Sequence, residues 1–75
     1  MNYGVSRLSI VPVRAEPSHV SEQVTQLLFG DHYEVVEYAE NKWLKIKTDF
    51  DQYAGWIVAH QHHAISQDYF EFINR

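Results

Sequence analysis

Among the residues that can do chemistry, three histidines stand closest together: His60, His62 and His63. Imidazoles at this spacing invite a zinc reading. A zinc site needs three or four converging ligands and a second shell that orients them. His60 and His62 are spaced to converge, but no carboxylate lies nearby in the sequence to support them. They read as exposed polar residues near one end of the fold, and no metal or cofactor is expected. The chain has no cysteine, which removes a thiol nucleophile, a thiolate metal site and any disulfide framework. What remains is aromatic. Trp43 and Trp56 stand on the two arms of one strand–turn–strand segment, Trp43 to Val58. At period two, Trp43 points away from the side shared by Leu44 and Ile46, and Trp56 away from that of Gly55 and Ile57. The hairpin thus offers an aliphatic face for a core and an indole face for something else. Trp56 reads as structural cover and Trp43 as an interface residue.

The elements that must position these side chains are strands. Met1 to Gly4 reads as a loose lead-in. Val5 to Val13 reads as a strand, with Leu8 and Ile10 on one side and Val11 and Val13 on the other; Pro12 cannot donate to a ladder and belongs at an edge or end. Arg14 to Glu22 is a long polar loop, a place where function is often carried. Val24 to Phe29 is the next strand, punctuated by the turn Gly30-Asp31. His32 to Ala39 follows, then a tight connection at Glu40-Asn41-Lys42, then the tryptophan hairpin with its polar tip at Asp49 to Gln52 and one aromatic there, Phe50. Gly55 in the return arm marks a bulge or a close backbone approach. Ala59-His60-Gln61 reads as a single helical turn, Ala64-Ile65 as a short last strand, and Tyr69 to Ile73 as too apolar for a free tail. The sum is an all-β small barrel of five or six antiparallel strands, with a long first loop and a short helical turn before the last strand.

Composition narrows the function. At 75 residues the chain is one domain, close to the lower limit for a core without staples. A net charge of −4 argues against nucleic acid or an anionic membrane as a partner, since both need clustered Lys and Arg. Leu8 to Val13 is too short for a signal-peptide core and contains Ser9 and Pro12. The expected location is cytoplasmic if Met1 is the native start, and the cell envelope if a leader has been removed. A monomer is expected.

Four stretches, Leu27-Leu28-Phe29-Gly30-Asp31, Tyr33-Glu34-Val35-Val36, Trp43-Leu44-Lys45-Ile46-Lys47 and Gly55-Trp56-Ile57, resemble in order a bacterial SH3-like domain, from about Val5 to Ser66. More narrowly, Val11-Pro12-Val13-Arg14, Glu16-Pro17-Ser18, Ser21-Glu22 and Thr25 to Gly30 resemble the amino-terminal module of NlpC-type cell-wall peptidases. These are papain-like enzymes that cut the γ-D-glutamyl to diamino-acid bond of peptidoglycan stem peptides, with their Cys and His in a later domain.

The resemblance implies that residues 1–66 are the SH3-like domain and 67–75 a linker towards a downstream catalytic domain, muropeptide recycling being the setting if the protein is cytoplasmic. It implies a non-catalytic module with two contributions to the substrate site. A tyrosine just before the Gly-Trp step faces the catalytic cleft, here Tyr53. An acid near the end of the long loop holds the free amine of the substrate's L-Ala. Val24 occupies the family's position for that acid; Glu22, two residues earlier and on the same face at period two, is the substitute. Leu28 and Phe29, large and apolar where such barrels usually carry polar residues, read with Trp43 as a docking interface for the catalytic domain. A stand-alone cell-wall peptide-binding or targeting module is the alternative. A proline-rich-peptide groove is disfavoured, because Val58-Ala59-His60-Gln61 lacks the Pro and Tyr such a groove uses.

Overall fold

Period-two alternation becomes seven strands and one short helix in the computed structural model, which describes residues 2–39, 42–49 and 52–73. In chain order these are β1 (Asn2–Val5), β2 (Ile10–Arg14), β3 (Gln23–Leu28), β4 (His32–Tyr38), β5 (Trp43–Thr48), β6 (Ala54–Val58), a 3-10 turn at Ala59–Gln61, β7 (Ala64–Ile65) and helix α1 (Gln67–Ile73). All pairings are antiparallel. The strands form one sheet in the order β3-β2-β6-β5-β4-β1-β7. Its two ends, β3 and β7, are not paired with each other, so the sheet is open and carries more strands than the five or six expected. Among the described residues no helix is long and apolar enough to cross a membrane.

The extra strand comes from the amino terminus. The expected lead-in is β1, with Tyr3 registered against Glu34 on one side and Ile65 on the other. The expected strand from Val5 to Val13 is broken at Ser6. There the backbone N–H donates to the Asp31 carbonyl at 2.8 Å, and the carbonyl accepts from the Gly30 N–H at 2.9 Å. The Ser6 hydroxyl donates to the Leu8 carbonyl at 3.1 Å. These bonds tie the chain to the β3–β4 turn and bend it before β2 begins. The phase of β2 is nonetheless as expected: Val11 and Val13 are buried and Ile10 is exposed.

The core is Val11, Val13, Leu27, Tyr33, Val35, Leu44, Ile46 and Ile57, with Val24 and Ala59 packed at its margin. The segment expected as a linker holds α1. Ser66 caps it: its side-chain oxygen accepts from the Tyr69 N–H at 3.1 Å, and its carbonyl accepts from the Phe70 N–H at 3.0 Å. Phe70 is buried against the ring of Tyr3, with centroids 4.2 Å apart, and meets the His32 ring edge-on at 5.2 Å. Within the expected lead-in Met1, within the expected connection Glu40 and Asn41, at the hairpin tip Phe50 and Asp51, and at the end of the expected linker Asn74 and Arg75 lie outside the described residues.

Candidate functional site

Tyr53 is held by its backbone and displayed by its ring. The fully buried Thr48 grips it at both polar groups: its N–H donates to the Tyr53 carbonyl at 2.8 Å, and its side-chain oxygen accepts from the Tyr53 N–H at 2.9 Å. The residue is 52% exposed. Two residues on, Gly55 makes the close approach its type suggests. A Cβ there would lie 2.4 Å from a Val13 methyl, 2.9 Å from the Arg14 carbonyl oxygen and 3.4 Å from a Val24 methyl. The start of β6 is thus pressed onto β2 and the start of β3.

That contact sets the position of Glu22. Arg14 is registered with Trp56 on one side and with Gln23 on the other. Because β3 and β6 both run antiparallel to β2, their first residues share one end of the sheet, and Glu22 and Tyr53 immediately precede them. The Ala15 N–H donates to the Glu22 carbonyl at 2.8 Å. The long loop is fastened across its width: the Arg14 guanidinium donates to the Ser21 carbonyl at 3.1 Å, and the Glu16 N–H donates to the Ser21 hydroxyl at 2.9 Å. One sequence expectation fails here. A register shift between Val13 and Arg14 interrupts the alternation that put Glu22 and Val24 on one face. Val24 packs against the core, whereas Glu22 is exposed.

Trp43 is also not the exposed indole its phase suggests. It is only 6% exposed, because the long loop returns over it and His19 meets its ring edge-on with centroids 4.9 Å apart. No local pattern in the sequence announces this contact. Leu28 and Phe29, by contrast, are 49% and 69% exposed. Leu28 lies opposite Ile10, itself exposed, in the β2–β3 register.

The three histidines part company. The Tyr33 hydroxyl lies 2.8 Å from His62 Nδ1, and His63 Nε2 lies 3.3 Å from the Arg7 guanidinium. His60 is exposed. Among the described residues no group of three metal-ligating side chains forms. Tyr33 is fully buried, and burial pushes its phenol up to about 12, partly offset by a backbone hydrogen bond from His63. Burial holds His62 below its ordinary value, and neighbouring His63 adds to the effect. The phenol therefore keeps its proton, and the hydrogen bond joins it to an imidazole that resists protonation. Gly4 makes room for this pair, since a Cβ there would lie 2.6 Å from ring atoms of both. A second pair that sequence reading missed is His32 Nε2 with the Asp49 carboxylate at 3.0 Å; the partners come from β4 and the residue after β5, so no local motif could flag them.

A family model described as the bacterial dipeptidyl-peptidase SH3 domain matches residues 13–61. A search of curated proteins finds no match.

Proposed function

The chain belongs to the bacterial dipeptidyl-peptidase SH3 domain family, and we propose that it is the non-catalytic module of an NlpC-type γ-D-glutamyl-L-diamino acid endopeptidase. It supplies no cysteine nucleophile, having no cysteine. In this reading the module, an SH3-like barrel in the family sense, docks on a catalytic domain that follows in the same protein and completes the site for the peptidoglycan stem peptide. Tyr53 and Glu22 are its share of that site: a phenol and a carboxylate framing the terminal ammonium of the substrate's L-Ala. The observation that carries the reading is that two residues far apart in sequence precede strands whose starts share one end of the sheet, with Tyr53 gripped by Thr48 and its ring left exposed.

The test uses the protein that joins this module to its catalytic domain. Tyr53→Ala and Glu22→Gln should each depress cleavage of L-Ala-γ-D-Glu-diamino-acid peptides roughly ten- to hundredfold, the worth of one charge-assisted hydrogen bond. Both should barely affect N-acylated peptides, which lack the charge. Equal loss on both substrates would indicate a folding defect, and no loss on either would reduce both residues to surface. Retention on intact peptidoglycan by the 75-residue chain alone would favour the stand-alone targeting module instead.

A further inference from the structure

Neither Tyr53 nor Glu22 lines the open cleft of about 500 Å³ between the turn after β1, the β3–β4 turn and α1. Phe29, Ile65, Tyr69 and Ile73 give it apolar walls, and Arg7 and His63 line it as well. Phe29 and Tyr69 are 69% and 51% exposed, so both rings have surface left to cover. The Arg7 guanidinium lies 3.3 Å from His63 Nε2. A guanidinium can only donate, so the ring nitrogen is the acceptor in this contact.

Among the described residues no carboxylate pairs with Arg7. That is notable in a chain with ten acidic residues against six basic ones. A guanidinium carries five donors in a planar fork that matches a carboxylate, and one contact to a ring nitrogen leaves most of them unused. The charge and the walls together define a ligand. One guanidinium among the lining side chains, with His63 and His32 beside it, suits a single negative charge, and aromatic and aliphatic walls suit an apolar group attached close to it.

We propose that this cleft binds a carboxylate carried beside an apolar side chain, as at the C-terminal end of a peptide. Arg7 takes the carboxylate, and Phe29, Tyr69 and Ile73 enclose the side chain. Phe29 also belongs to the exposed pair read as a docking surface, but Leu28 does not line the cleft, so the two ideas separate by mutation.

The experiment titrates the 75-residue chain with N-acetyl-Ala-Ala-Phe as the free acid and as the C-terminal amide, followed by amide chemical shifts. The free acid should bind and shift resonances of Arg7, Phe29 and Tyr69. The amide, and the free acid on Arg7→Gln, should each bind roughly ten- to hundredfold more weakly, as expected for losing a charge-assisted pair. Leu28→Ser should leave binding unchanged. Equal affinity for acid and amide would overturn the proposal, a comparison that needs no variant and holds even if Arg7→Gln fails to fold. So would no binding of the acid at millimolar concentration, or displacement of the peptide by equimolar inorganic phosphate. Concentration-dependent dimers that the free acid does not dissociate would assign the cleft to a second copy of the chain and would equally overturn it.

Discussion

At the scale of single residues, the hydrogen bond that joins Tyr33 and His62 is 2.8 Å long and set where Gly4 leaves space. A buried phenol needs a partner, because an unmet buried donor or acceptor costs about 1–3 kcal/mol. Tyr33→Phe should therefore destabilise the domain by about 1–3 kcal/mol, seen as a lower urea midpoint at unchanged slope. The same pair gives stability a pH dependence at both ends. The folded state holds His62 below its ordinary value, so the unfolded chain binds the proton more readily. That contribution is complete above about pH 6.5, the usual histidine value, and is lost as pH falls from there through the lowered folded value. Tyr33 works in the opposite sense: its folded value is raised from 10.0 to about 12, so its contribution holds below pH 10 and is lost as pH climbs through that interval. Unfolding midpoints measured from pH 7.5 down to 5 should fall for the wild type, and the slope should flatten in His62→Phe. An unchanged slope in that variant would assign the acid sensitivity to other groups.

At the scale of elements, the assembly depends on β6 lying hard against β2. Gly55 sits at that crossing, and a methyl group there would meet the Arg14 carbonyl and the side chain of Val13. Gly→Ala often stabilises a protein by restricting the unfolded chain. Here the added methyl overpacks, so Gly55→Ala should cost about 1–3 kcal/mol in chemical denaturation. It should also shift the resonances of Tyr53 and Glu22, whose elements the crossing joins. This glycine was legible in the sequence, as were the phase of β2 and the aliphatic face of β5, because period-two burial is a local pattern. Other features were not. β1 has few strand-forming residues, and its place is fixed by pairing with β4 and β7, both remote in sequence. Helix α1 has seven residues, too few to be stable alone; Ser66 followed by Tyr69, Phe70 and Ile73 at helical spacing was its signal. What holds it is Phe70 on Tyr3 of β1 and on His32 of β4, both contacts remote in sequence. Trp43 was misjudged for the same reason, since the cover it receives from His19 is a tertiary contact. For the candidate site, the sequence resemblance pointed to Tyr53 and Glu22, but the bulge that separates Glu22 from Val24 is visible only in the register.

For the molecule as a whole, the question is why a chain of 75 residues leaves so much apolar surface uncovered. Small domains have little burial to spare, yet Ile10, Leu28 and Phe29 are 54%, 49% and 69% exposed. Ile10 and Leu28 are register partners, so two of these exposures adjoin each other, and Phe29 follows Leu28 directly in the chain. Each would contribute roughly 1.5–3 kcal/mol if fully buried, which makes them a natural seat for another surface, in our reading the catalytic domain. The distinction from ordinary core is measurable. Leu28→Ser with Phe29→Ser should change the stability of the isolated module by only about 0.5 kcal/mol per site, the usual scale for surface positions. The same pair should weaken association of the two domains supplied as separate chains and, in the protein that carries both, expose the connecting segment to protease. A loss of several kcal/mol in the isolated module would mean that the two side chains support the fold and are not a docking surface. Unchanged stability together with unchanged domain association would mean that the catalytic domain sits elsewhere.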